Sequence, residues 1–188
     1  MKRVVIFASG SGSNAENLIK FFQNSDNVSV IQVITNNPHA KVLDRAKRLK
    51  VSALSFNRVA FTQTDHVLNN LKALKPDLII LAGFLWKFPE TILDAFPNKV
   101  INVHPALLPK FGGKGMYGMH VHKAVVENKE IETGITIHYV NENYDEGATI
   151  FQAKCNVLPT DTAEDVAAKI HELEIEYFPK VVEELLKD

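Results

Sequence analysis

At 188 residues, with 46% hydrophobic and 23% charged positions, the chain has the composition of one globular domain large enough for a substantial core. A formal net charge of -1 excludes a global pull toward nucleic acid or anionic membrane, and a lone cysteine, Cys155, excludes an intrachain disulfide framework and suits a reducing compartment. No run approaches the length of a membrane span, and the basic start Met1-Lys2-Arg3 leads into an apolar run only from Val4 to Ala8, too short for a signal peptide, so the expected location is cytoplasmic.

Val4 to Ala8 suits a central parallel strand. Ser9-Gly10-Ser11-Gly12-Ser13-Asn14 then makes a glycine-rich turn into a helix with Leu18, Ile19, Phe21 and Phe22 as its apolar stripe. Val28 to Thr35 reads as a second strand, Val42, Ala46 and Leu49 mark a helix, and Ala53 to Phe56 a short third strand. Val67, Leu68, Leu71 and Leu74 face the next helix inward until Pro76 stops it. Asp77 to Gly83 is another buried strand, a short helix follows Pro89, and Lys99 to His104 is a strand again. This βαβ rhythm predicts a parallel sheet. Beyond the loop from Pro105 to Gly118 and a helix from Met119 to Glu127, Glu132 to Asn141 and Ala148 to Val157 read as a hairpin. Thr162 to Leu186 closes the chain as an amphipathic helix, capped by Asp161 or Thr162 and expected to break near Pro179.

Val100 to His104 alternates in period 2, which puts Asn102 and His104 on one strand face, and Pro105 ends that strand. Ligands of open α/β sheets sit at the carboxyl ends of strands. An amide and an imidazole there suit acyl transfer, the amide bonding a developing oxyanion and the imidazole moving a proton or carrying charge beside it. The plainer alternative is a histidine satisfied by backbone at a loop start.

Gly10-Ser11-Gly12-Ser13-Asn14-Ala15 matches the G-x-G-x-x-A dinucleotide pattern, but the second strand ends in Thr35-Asn36-Asn37, with no carboxylate for a ribose. A single phosphate at the helix N-terminus suits the exposed amides and the Ser13 and Asn14 side chains, the alternative being a turn that needs glycine for its backbone alone. His120 and His122 lie two apart on a helix, facing away from each other, with no Cys or carboxylate at ligand spacing, so no metal is expected. No Ser or Cys triad pattern is present, and Cys155 reads as core packing.

Asn102-Val103-His104-Pro105-Ala106-Leu107-Leu108-Pro109, followed by Asn143-Tyr144-Asp145-Glu146-Gly147, resembles the signature of the formyltetrahydrofolate-dependent formyltransferases. The resemblance covers essentially the whole chain and implies a Rossmann-like open sheet, parallel in its N-terminal half, with a C-terminal antiparallel hairpin and helices on both faces. It implies a single domain over 1–188, with 1–100 as the phosphate-binding βαβ half and 101–188 as the catalytic and folate-binding half. In the glycinamide ribonucleotide branch of the family a Gly-Ser-Asn loop binds the substrate phosphate, a role that falls on Gly12, Ser13 and Asn14. Glu174, four residues before Phe178-Pro179, matches a glutamate that contacts the ribonucleotide. Leu85, Trp86, Lys87 and Phe88 match the loop that lines the pterin pocket with Asn102, Arg58 is placed to meet the folate glutamate tail, and His138 to organise the catalytic group. Trp86 stands where relatives often have Arg or Lys, and Glu146 where they often have Gly or Ala.

The implied chemistry is transfer of a formyl group from the cosubstrate 10-formyltetrahydrofolate to the amine of glycinamide ribonucleotide in purine biosynthesis, without a metal. The amine attacks directly. Asn102 and a protonated His104 stabilise the oxyanion, and Asp145 keeps the imidazole charged and assists proton transfer. These two small molecules are the expected partners, with neither nucleic acid nor membrane, in a monomer or homodimer. A formyltetrahydrofolate hydrolase shares the constellation but carries an extra N-terminal domain, and a methionyl-tRNA formyltransferase usually carries a C-terminal one. From a different class, a non-catalytic nucleotide-binding module explains the glycine-rich loop alone.

Overall fold

The structure, a computed structural model, describes residues 1–187. Lys2–Phe7 (β1), Val28–Thr35 (β2), Ser52–Ser55 (β3), Leu78–Leu81 (β4) and Val100–His104 (β5) pair in parallel, and Glu132–Tyr139 (β6) and Thr149–Asn156 (β7) add an antiparallel pair beside β5. The seven strands run in the order β3-β2-β1-β4-β5-β6-β7. The expected mixed α/β architecture is borne out. Its strand order reverses between β1 and β4, so the loops leaving these two strands part company there and open a crevice.

Period-2 alternation sends side chains to two cores. Val4, Ile6 and Ala8 pack with the helices Ser13–Phe22 (α1), Lys41–Arg48 (α2), Met119–Glu127 (α6) and Ala163–Leu185 (α7), through residues such as Leu18, Val42, Val121 and Phe178. Val5 and Phe7 face Arg58–Thr62 (α3), His66–Leu74 (α4) and Glu90–Ala95 (α5), through Phe61, Leu71 and Ile92. Phe7 is fully buried, edge-on to Phe84 and Phe88, a burial worth about 1.5–3 kcal/mol. These rings fix the loop that follows β4.

Two features differ from the sequence reading. Helix α3 was not expected; it is short, begins after an Asn57 cap whose side chain accepts the Ala60 N–H, and buries only Phe61, too little to register as periodicity. Helix α7 runs unbroken through Pro179. A proline there leaves the carbonyl four residues earlier without its helical donor, and the Asn17 side chain of α1 donates to that Ile175 carbonyl at 3.0 Å. The N-terminus of α7 is a capping box between Thr162 and Asp165. Among the described residues no helix is long and apolar enough to cross a membrane.

Candidate active site

The register of β5 against β6 sets Asn102 opposite His138 and His104 opposite Thr136, so these four share one sheet face at the strand's carboxyl end. The Thr136 hydroxyl donates to the Ala106 carbonyl at 2.7 Å and accepts the Leu108 N–H at 3.0 Å and the Gln152 amide at 2.9 Å. That ties the chain beyond Pro105 back onto β6 and holds His104 at the rim. The turn between β6 and β7 brings Asp145 over the same face with φ +57°, a conformation Asp tolerates better than most residues. Gly147 lies against β6 so closely that a Cβ would fall 1.7 Å from the Tyr139 carbonyl oxygen.

The Asp145 carboxylate accepts the Gly113 N–H at 2.9 Å and stands 3.5 Å from His104 Nδ1 and 3.6 Å from His138 Nε2. A carbonyl only accepts, so His104 Nε2, 2.7 Å from the Phe111 oxygen, carries a proton and its Nδ1 faces the carboxylate. By the same argument His138 Nδ1 donates to the Tyr139 carbonyl at 2.8 Å. In the neutral ring its Nε2 then accepts from the Asn102 amide at 3.1 Å, which turns the Asn102 nitrogen toward His138 and keeps one N–H for the cleft.

Both histidines are nearly inaccessible, and burial decides the charge of His104. Desolvation pushes it below the ordinary histidine value, against the raising effects of Asp145 and the Phe111 carbonyl, and the His138 ring lowers it further. The imidazole is therefore neutral in the resting site at neutral pH, where the sequence reading expects it protonated. Asp145 is pushed up by burial, but the His138 and His104 rings, which can donate to it when they carry charge, and the Gly113 N–H together hold it below the usual carboxylate range.

A cleft of about 800 Å³ runs from this cluster to the loop after β1, lined by Gly12, Ser13, Asn14 and Glu174. These four are brought together: Asn14 Nδ2 donates to a Glu174 carboxylate oxygen at 2.9 Å. Gly12 has φ +73°, and a Cβ there would stand 2.3 Å from Val42 Cγ2, so the loop lies flat on α2. Its carbonyls are drawn toward α2, Gly10 O by the Val42 N–H at 3.2 Å and Ser11 O by Arg45 Nε at 2.7 Å. Glu16, in the first turn of α1, is ion-paired by Lys20, Arg45 and Arg48, so its charge does not oppose an anion at the loop. The sequence reading missed this buttress, along with Thr136 and His171. His171 lines the cleft with Nδ1 3.6 Å from Glu174, which raises its pKa.

The loop after β4 divides. Leu85 is exposed along the main cleft, whereas Trp86, Lys87 and Phe88 border a smaller hollow of about 70 Å³ that shares Asn102 and Asp145 with it. Phe88 is mostly core. Arg58 lies outside both hollows, its guanidinium 5.4 Å over the Trp86 ring. Among the described residues no group of three His, Cys, Asp or Glu is arranged to hold a metal.

A family profile described as formyl transferase matches residues 2–182, and the chain belongs to that family. Among its relatives, phosphoribosylglycinamide formyltransferase of Bacillus subtilis is 34% identical over 193 residues, covering 99% of this chain and 95% of its own. The chloroplastic phosphoribosylglycinamide formyltransferase of Arabidopsis thaliana is 35% identical over 196 residues, 99% of this chain and 67% of that one. The crystal structure of phosphoribosylglycinamide formyltransferase from Anaplasma phagocytophilum superimposes with a TM-score of 0.91 at 34% identity, covering all of this chain and 87% of the other.

Proposed function

We propose that the protein transfers the formyl group of 10-formyltetrahydrofolate to the amine of glycinamide ribonucleotide, a step of purine synthesis. The observation that carries this reading is the meeting of Asn102, His104 and Asp145 where the main cleft joins the smaller hollow. The ribonucleotide lies along the cleft with its phosphate at Gly12, Ser13 and Asn14 and its sugar toward Glu174. The pterin enters beside Leu85, Trp86, Lys87 and Phe88. Arg58 acts on the folate side through Trp86. Both parts of the chain build each half-site, so 1–188 works as one unit.

The amine nitrogen bonds to the formyl carbon, whose oxygen takes up the electron pair and is met by the free Asn102 N–H. The amine loses a proton to the His104–Asp145 pair. The imidazolium that forms is stabilised by Asp145 and lies beside the oxyanion, so charge arises during the reaction instead of standing in the empty site. Collapse of the tetrahedral carbon breaks its bond to N10 of the folate, and the proton leaves with that nitrogen. His138 orients Asn102.

The test is the absorbance change on deformylation of 10-formyltetrahydrofolate, with and without glycinamide ribonucleotide. Tetrahydrofolate formed only with the ribonucleotide is the expected result. Equal loss of formyl without it would make the protein a hydrolase, and no reaction with either would leave a nucleotide-binding module.

A further inference from the structure

His122 plays no part in the chemistry above, yet it is one of the few buried polar side chains of the molecule, with 6% exposure. Its Nδ1 is fully buried without a hydrogen-bond partner among the described residues. Helix α6 turns its neighbour His120 outward and points His122 inward beside Val121 and Val125. The little of the ring that stays accessible opens on the cleft, which it lines. The same cleft is also lined by His104, the catalytic histidine, and by Glu174 at the ribonucleotide end; burial lowers the pKa of His122, with Glu174 raising it and His104 lowering it further.

A neutral imidazole must leave one nitrogen protonated and the other bare. A buried N–H without an acceptor is rarer in folded proteins than an under-satisfied acceptor. The favoured tautomer therefore leaves Nδ1 bare against the core and presents Nε2–H to the cleft. Such an arrangement gives the empty protein nothing: an unpaired polar atom is a net cost to folding, and an apolar ring of similar size would fit the same helix face.

We propose that His122 is a specificity-determining residue for the acceptor substrate, its Nε2–H donating to an oxygen in the sugar–amide portion between the phosphate and the reacting amine. This rests on the function proposed above. The oxygen is a ribose hydroxyl or the amide carbonyl, the acceptors a phosphorylated ribosyl glycinamide offers between its two ends. A glutamine places its amide nitrogen near the position of Nε2, whereas phenylalanine keeps the ring and removes the donor.

The experiment compares wild type, His122→Phe and His122→Gln in formyl transfer, with each substrate varied in turn, and records the Tm of each free protein. His122→Phe should raise the ribonucleotide KM about tenfold, the worth of one hydrogen bond, with the folate KM unchanged and the Tm at or above wild type. His122→Gln should restore the ribonucleotide KM to within about threefold. An unchanged ribonucleotide KM in His122→Phe overturns the inference, as does a lowered Tm with both KM values raised together, which marks a structural histidine. Wild type that transfers no formyl group would overturn the proposed function instead.

Discussion

Asp145→Asn isolates one charge from an otherwise intact site. The replacement has nearly the same volume, and its side-chain oxygen can still accept the Gly113 N–H that the carboxylate takes at 2.9 Å. Its amide nitrogen then takes the place of the oxygen that stands 3.6 Å from His138 Nε2. What disappears is the negative charge 3.5 Å from His104 Nδ1. At that separation, with an effective dielectric of about 20, the charge stabilises an imidazolium by roughly 5 kcal/mol. Relaxation and water entering the cleft reduce this, so a loss of about 3–4 kcal/mol is expected, on the order of 10²- to 10³-fold in kcat. The resting imidazole is neutral, so the loss falls on the transition state and spares the ground state. In the deformylation assay kcat and kcat/KM should fall together, and calorimetry should find the ribonucleotide Kd within a few-fold of wild type. A kcat within tenfold of wild type would refute the argument. So would a loss of ribonucleotide binding as large as the loss of turnover, which would reduce Asp145 to an anchor for the backbone at Gly113.

Three further outcomes follow from the same geometry. Arg45→Met frees the Ser11 carbonyl and leaves Glu16 less neutralised beside the phosphate loop, so the ribonucleotide KM should rise roughly three- to tenfold with the folate KM unchanged; steady-state kinetics with each substrate varied decides it. Thr136→Val strands the Leu108 N–H and the Ala106 carbonyl, for a loss of about 2–4 kcal/mol and a Tm lower by about 4–15 °C; a calorimetric Tm within two degrees of wild type would contradict it. Acidification should destabilise the protein below about pH 6.5: His104 and His122 both titrate lower folded than their reference value of 6.5, so the unfolded chain binds more protons there and stability falls with pH. His171 is raised and has the opposite sign, its contribution being lost as pH rises, but it is half-exposed and screened. Asp145 joins the acid loss only below 3.8. Urea unfolding across this range that shows equal or greater stability at pH 5.5 than at pH 7.5 would reverse the sign.

What the sequence discloses depends on how far away each residue's partner lies. Strand β5 and helix α6 are legible because their information is local: period 2 and a proline define one, an apolar spacing the other. Asn102 and His104 share a face for the same local reason, and the family string beyond them points to Asp145. The continuity of α7 at Pro179 is not legible, since the donor that makes it tolerable is Asn17, on another helix. Nor is Thr136, an ordinary β-branched strand residue until the chain after Pro105 folds back on it. The resting charge of His104 is missed for a deeper reason. Pattern names the carboxylate that raises its pKa, but the opposing desolvation is a property of the assembled core, and the Phe111 carbonyl that also raises it is a backbone atom that no side-chain motif records. The residue types of the candidate site are thus written along the chain, whereas their protonation is set by packing. Changing the surroundings of His104 therefore shifts its pKa without touching any residue of the motif.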